Sequence, residues 1–119
     1  MVEDWFDRVE ALRRLKKLSF ARVHVLEYIG ILLAEGGPLP PDTVLADLAA
    51  VSRGTVLAAR RTGTALGLLN GKLDRTGPAE MSDERKDGLL AEYRVQNIAR
   101  MMRAADESYD LNEIRRRYT

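Results

Sequence analysis

Arg53, Arg60, Arg61 and Lys72 lie in the interval between Asp47 and Asp74, which contains no acidic residue. A guanidinium can bond a guanine edge bidentately or neutralise a phosphate, so a cationic stretch free of acids suits a polyanion. The formal net charge of only +1 carries no such message; the distribution does. On a helical wheel Arg53, Leu57, Arg61 and Thr64 share one side, and Val56, Ala59, Gly63 and Leu66 lie roughly opposite. One side is free to make contacts while the other packs. Arg53 and Arg61 are the main candidates for DNA contact, and Arg60 falls at the edge of the free side.

Other residues with chemical potential lack the partners that chemistry needs. His24, four residues from both Phe20 and Tyr28, has no nucleophile or acid placed around it by sequence, and reads as a packed or half-exposed helix residue. Asp83, Glu84 and Asp87 lack a partner set with metal or acid–base logic and read as a solvated face. The chain has no cysteine and one histidine, which argues against disulfides, thiolate catalysis and zinc sites. No catalytic activity, cofactor or metal is expected.

The arginines need elements to hold them. From Asp42 to Arg61 the apolar residues Leu45, Ala49, Val51, Val56 and Ala59 keep the register of two short crossing helices, with small Ala46 at the crossing. Ser52 stands where the second helix begins and can cap its free N–H groups. This pattern reads as a helix-turn-helix. Its first helix is capped by Asp42 or Thr43 and runs through Ala49; its second, the recognition helix, runs from Arg53 to about Leu66, with Gly67 placed to end it. Gly63 on the packed side implies a neighbouring helix too close for a side chain, since glycine within a helix costs ~1 kcal/mol relative to alanine. That neighbour is expected to be a largely apolar helix from Phe20 to Ala34, stopped by Gly36, Gly37 and Pro38.

At 119 residues the chain suits one domain with appendages. Val2, Trp5, Phe6, Val9 and Leu12 recur at helical spacing and predict an amphipathic N-terminal helix to about Lys17. Trp5 and Phe6 suit either the core or a dimer seam. After Gly67, a leucine pair and an Asn70-Gly71 step suggest a strand and a hairpin turn, followed by a polar stretch and a second strand from Leu89. Such a hairpin, a wing, would place Lys72 and Arg75 at its base, in reach of the minor groove or a phosphate. The competing expectation is one long helix capped by Ser82 and running through Ala105, with Leu90, Tyr93, Ile98, Met101 and Met102 as apolar positions. Ile98, Met101 and Met102 belong to a C-terminal helix either way. The resulting division is residues 1–19, an N-terminal helix; 20–95, the DNA-binding domain; and 96–119, a C-terminal helix and tail. No apolar run is long enough for a bilayer, and acids near the N-terminus do not suit a secretory signal, so a cytoplasmic protein without membrane contact is expected.

From Pro40 to Leu69, about a quarter of the chain, the sequence resembles the winged helix-turn-helix superfamily of bacterial regulators, including MarR-like and GntR-like proteins and related domains of plasmid and phage replication proteins. The runs Ser-Arg-Gly-Thr-Val and Ala-Leu-Gly-Leu-Leu carry the resemblance. It implies a mainly α fold with a small β-hairpin wing, and it places Ser52, Arg53, Gly54, Leu57, Ala58 and Arg61 toward the DNA groove and Thr55 near a phosphate. Ala50 departs from the pattern, because many members have glycine at that turn, where φ tends to be positive; alanine implies mild strain or a different turn. The function implied is sequence-specific binding of double-stranded DNA, with transcriptional regulation as the leading role and helix 53–66 in the major groove. A homodimer on a palindromic site is expected because one short helix buries little surface. A plasmid or phage replication or partition factor, and a protein-interaction module that does not bind DNA, are the alternatives.

Overall fold

The computed structural model describes residues 2–15, 17–70 and 73–118. Six helices follow one another: α1 (Val2–Arg14), α2 (Phe20–Glu35), α3 (Asp42–Ala49), α4 (Arg53–Ala65), α5 (Asp83–Ala104) and α6 (Leu111–Tyr118). None among the described residues is long and apolar enough to cross a membrane.

The organising element is α2, which packs against α1, α3, α4 and α5. Its sequence explains this position. Of the nine residues from Val23 to Ile31, all but His24 and Glu27 are apolar, aromatic or glycine, and a helix apolar on most sides is stable only when covered on most sides. Ser19 caps its start, accepting the Arg22 N–H, and Gly36 at φ 83° ends it. Phe6 and Val9 of α1 are fully buried, and the half-buried Trp5 donates its indole N–H to the Leu26 carbonyl at 2.7 Å. The N-terminal apolar stripe therefore lies in the domain's own core.

The expected β-hairpin wing is absent: the described residues contain no strand, and the fold is mainly α without it. Two local causes account for the correction. Gly67, at φ 78°, closes α4 in a turn that sends the Leu68 N–H back to the Gly63 carbonyl at 2.8 Å and the Gly67 N–H to Thr64 at 3.1 Å. This is a Schellman turn, and the leucine pair that suggested a strand is buried behind it. The second expected strand, from Leu89, belongs to α5. Ser82 caps that helix by accepting the Arg85 N–H at 3.1 Å, and Leu89, Tyr93 and Gln96 fall at helical spacing on its buried side. The competing expectation of one long helix is the one that matches, and α5 runs without a break across residues 95 and 96.

Between α4 and α5 the chain is irregular but tied down. The Leu39 N–H bonds the Asp74 carbonyl at 2.8 Å, and the Gly77 N–H bonds the Leu39 carbonyl at 3.0 Å. The approach requires glycine: a Cβ at Gly77 would stand 2.8 Å from the Leu39 carbonyl oxygen. At the far end, α6 packs on α5 around Val95, Ala99 and Ile114. Arg103 fastens this end to α1 through Asp7 at 2.9 Å and also donates to Tyr109.

Candidate nucleic-acid interface

The turn between α3 and α4 is built on Ala50, whose backbone sits in the left-handed region at φ 55°, ψ 47°. The Val51 N–H reaches the Ala46 carbonyl at 2.9 Å and the Ala50 N–H reaches Asp47 at 3.2 Å, so α3 ends in a Schellman turn with alanine where glycine is easier. Of the two possibilities for Ala50, a different turn or mild strain, this conformation is the strained one. Ser52 then opens α4: its hydroxyl accepts the Thr55 N–H at 3.1 Å and lies 3.0 Å from the Thr55 hydroxyl. Thr55, expected near a phosphate, is half-buried and engaged with Ser52.

Val56, Ala59 and Gly63 are buried, and α4 is seated on α2 through them. A Cβ on Gly63 would lie 3.0 Å from Leu26 Cδ2 and 3.0 Å from Leu69 Cδ1, so this crossing is as close as the sequence implied. Arg22 adds a second tie, donating to the Thr62 hydroxyl at 3.1 Å. The helix is thus held along one side. On the other, Arg53, Gly54, Leu57, Arg61 and Thr64 are exposed and Ala58 is partly so; Leu57, though apolar, is 41% exposed. No acidic residue occurs anywhere in α4.

Arg60 does not belong to that surface. It is 8% exposed and donates Nε–H to Asp42 Oδ1 at 2.7 Å. Burial lowers its proton affinity, with the Asp42 charge opposing, and its Nη2 is enclosed without a hydrogen-bond partner. The wheel placed Arg60 at the edge of the free side; the fold turns that edge inward because α3 begins against it. Asp42, expected as a helix cap, is instead the first residue of α3, and Pro41 holds the cap position. The other Asp42 oxygen lies 3.5 Å from Arg75 Nη1, so one carboxylate positions two arginines from distant parts of the chain. Nothing in the sequence pairs residues 42, 60 and 75. Arg75 remains half-exposed in its side chain, whereas Lys72 lies outside the described residues.

A groove of about 630 Å³ runs between α4 and the chain around Asn70 and Leu73. Leu57, Leu69 and Leu73 give it an apolar floor, and Arg61, Thr64, Asn70 and Arg75 supply polar groups at its walls. Chemically the surface offers bidentate donors, a projecting apolar side chain and small residues at Gly54 and Ala58 that leave the helix axis approachable. No group of three or more potential metal ligands occurs among the described residues. Compared with family models, with curated proteins and with solved structures, the chain gives no match.

Proposed function

We propose that the protein binds double-stranded DNA sequence-specifically, with α4 in the major groove, and that it acts as a transcriptional regulator by binding and not by catalysis. The observation that carries this reading is the outward side of α4. A 13-residue helix free of acids is anchored along its other side by Val56, Ala59 and Gly63 and presents Arg53, Leu57 and Arg61 to solvent. A helix needs both a rigid seat and a cationic, hydrogen-bonding free side to read base edges. Arg53 and Arg61 contact guanine edges or phosphates, Leu57 meets an apolar base feature, and Arg75 reaches a flanking phosphate from its place beside Asp42. Ser52, Gly54 and Ala58 allow close approach, and Thr55 fixes the helix start. A homodimer on a palindromic site would double a contact that one short helix leaves small.

Selection of bound sequences from a random duplex pool tests the proposal. Enrichment of a palindrome supports a dimeric regulator, and enrichment of direct repeats bound cooperatively supports a replication or partition factor. No enrichment, with affinity insensitive to salt, overturns DNA binding and favours a protein-interaction module.

A further inference from the structure

A second constellation lies on another side of α2, away from the contact with α4. Glu27 is 3% exposed and carries its carboxyl into the junction of α2 with α5. The Tyr93 hydroxyl donates to Glu27 Oε1 at 2.8 Å, and the Tyr93 oxygen stands 2.6 Å from Nδ1 of His24, whose side chain is exposed. The Tyr93 ring is fixed by stacking on Tyr28 at 4.8 Å and by an edge contact with Phe6 at 5.9 Å. A cleft of about 330 Å³ reaches the group from solvent past Phe20 and His24. Asn97 lines the same cleft beside Tyr93. An acid buried this deeply is costly when ionised, and a continuous hydrogen-bonded path to an exposed imidazole gives it a route to neutrality.

We propose that His24, Tyr93 and Glu27 form a proton-binding site, in which a proton entering at His24 passes through Tyr93 to Glu27 and its occupancy sets how firmly α5 holds α2. A solvent proton adds to Nε2 of the neutral imidazole, giving an imidazolium that donates Nδ1–H to Tyr93 while Tyr93 donates its proton to the carboxylate. The Tyr93 proton then moves to Glu27 Oε1 and the Nδ1 proton to the Tyr93 oxygen. The products are a neutral imidazole with its hydrogen on Nε2, an intact tyrosine and a neutral carboxylic acid. Both hydrogen bonds survive with donor and acceptor exchanged, so the site has two fully bonded states and its occupancy is set by pH alone.

The charged groups around the carboxyl come from both neighbouring helices. Tyr93 and Arg100 face it from α5, and Glu10 and Arg13 from α1, with His24 and Tyr28 on α2 itself. The Tyr93 bond and the arginines favour the anion and Glu10 opposes it; burial outweighs them and pushes Glu27 up to about 7 from an ordinary 4.5. The folded protein therefore holds more protons than the unfolded chain between these values. This group's contribution to stability is fully present below about 4.5 and is lost as pH rises to about 7.

Carboxyl NMR titration of the full chain tests the site. One glutamate carboxyl is expected to titrate near neutrality. In Tyr93→Phe the carboxyl loses its hydrogen-bond donor, and its midpoint should move upward. His24→Asn, at an exposed position that leaves the core untouched, should move the Glu27 midpoint upward by removing the donor behind Tyr93. The thermal midpoint of the wild type should fall relative to Glu27→Gln between about pH 4.5 and 7. All glutamates titrating at the ordinary value overturns the proposal. So does an unmoved Glu27 midpoint in His24→Asn, or wild-type and Glu27→Gln melting curves that run parallel with pH.

Discussion

Gly30→Ala would put a methyl group where the Trp5 indole now lies. A Cβ at this position falls 2.2 Å from Trp5 Cδ1, 2.5 Å from Nε1 and 2.7 Å from Cγ. Unbonded carbons rest at ~3.5–4.0 Å, so the ring must retreat by about 1 Å or more. The retreat breaks the 2.7 Å bond from the indole to the Leu26 carbonyl, a loss of ~0.5–1.5 kcal/mol. Trp5 is half-buried, so lost packing adds roughly 1 kcal/mol, part of the ~1.5–3 kcal/mol of a fully buried large side chain. Against this stands a gain of ~1 kcal/mol from replacing glycine inside a helix. The net expectation is destabilisation by ~1 kcal/mol, seen as a fall in the thermal midpoint of roughly 3–6 °C. Trp5 is the only tryptophan, so its fluorescence reports the same event independently. Emission should shift to longer wavelength in the folded variant as the ring becomes wet. A raised midpoint with unshifted emission would refute the argument, because it would mean that α1 does not lie on α2 at this point.

Gly63→Leu should lower stability by ~1–3 kcal/mol through overpacking against Leu26 and Leu69; a raised melting midpoint would show that α4 is rotated from the position described. Arg53→Ala and Arg61→Ala should each weaken binding to the selected DNA site by ~1–3 kcal/mol without changing the melting curve, and wild-type affinity should fall as salt rises; unchanged affinity in both variants counts against α4 as the reading helix. Leu57→Ala should abolish any penalty for replacing thymine with uracil at the base it faces, since the two differ by the methyl group that an apolar side chain can touch; a penalty of equal size in wild type and variant assigns that contact elsewhere. Asp42→Asn should destabilise by ~1–3 kcal/mol by leaving the buried Arg60 short of its charged partner, whereas Arg60→Met should be milder; the reverse order in chemical denaturation would contradict the account of this pair.

The parts legible in the sequence are those decided within a few residues. Ser52 as the cap of α4, Gly67 as its terminator and Gly63 as the mark of a close neighbour all depend on local backbone rules, and the structure places them accordingly. The wing failed because a leucine pair after Gly67 satisfies two rules equally well. It can begin a strand or complete the apolar contact of a helix-ending turn, and only the position of Leu26 and its surroundings decides. Leu89 to Val95 was ambiguous for a related reason: a short apolar run fits a strand or a helix until its length is known. Arg60 was misplaced because the wheel gives angles without the neighbour that covers them. His24 looked isolated because its partners, Glu27 and Tyr93, are 3 and 69 residues away, and the second spacing carries no signal along the chain.

The central position of α2 also governs the order in which the molecule can be completed. A chain synthesised only as far as Leu69 already contains every residue of the helix-turn-helix, yet it lacks Tyr93, the partner that satisfies Glu27, and Leu89 of the surrounding core. Such a nascent chain would hold its local turns while one flank of α2 remained open to water and to other chains. The surface that would meet DNA is written in one contiguous stretch, whereas another flank of α2 is covered by a helix that begins only at Asp83, so truncation between the two would leave the motif intact in sequence and that flank uncovered.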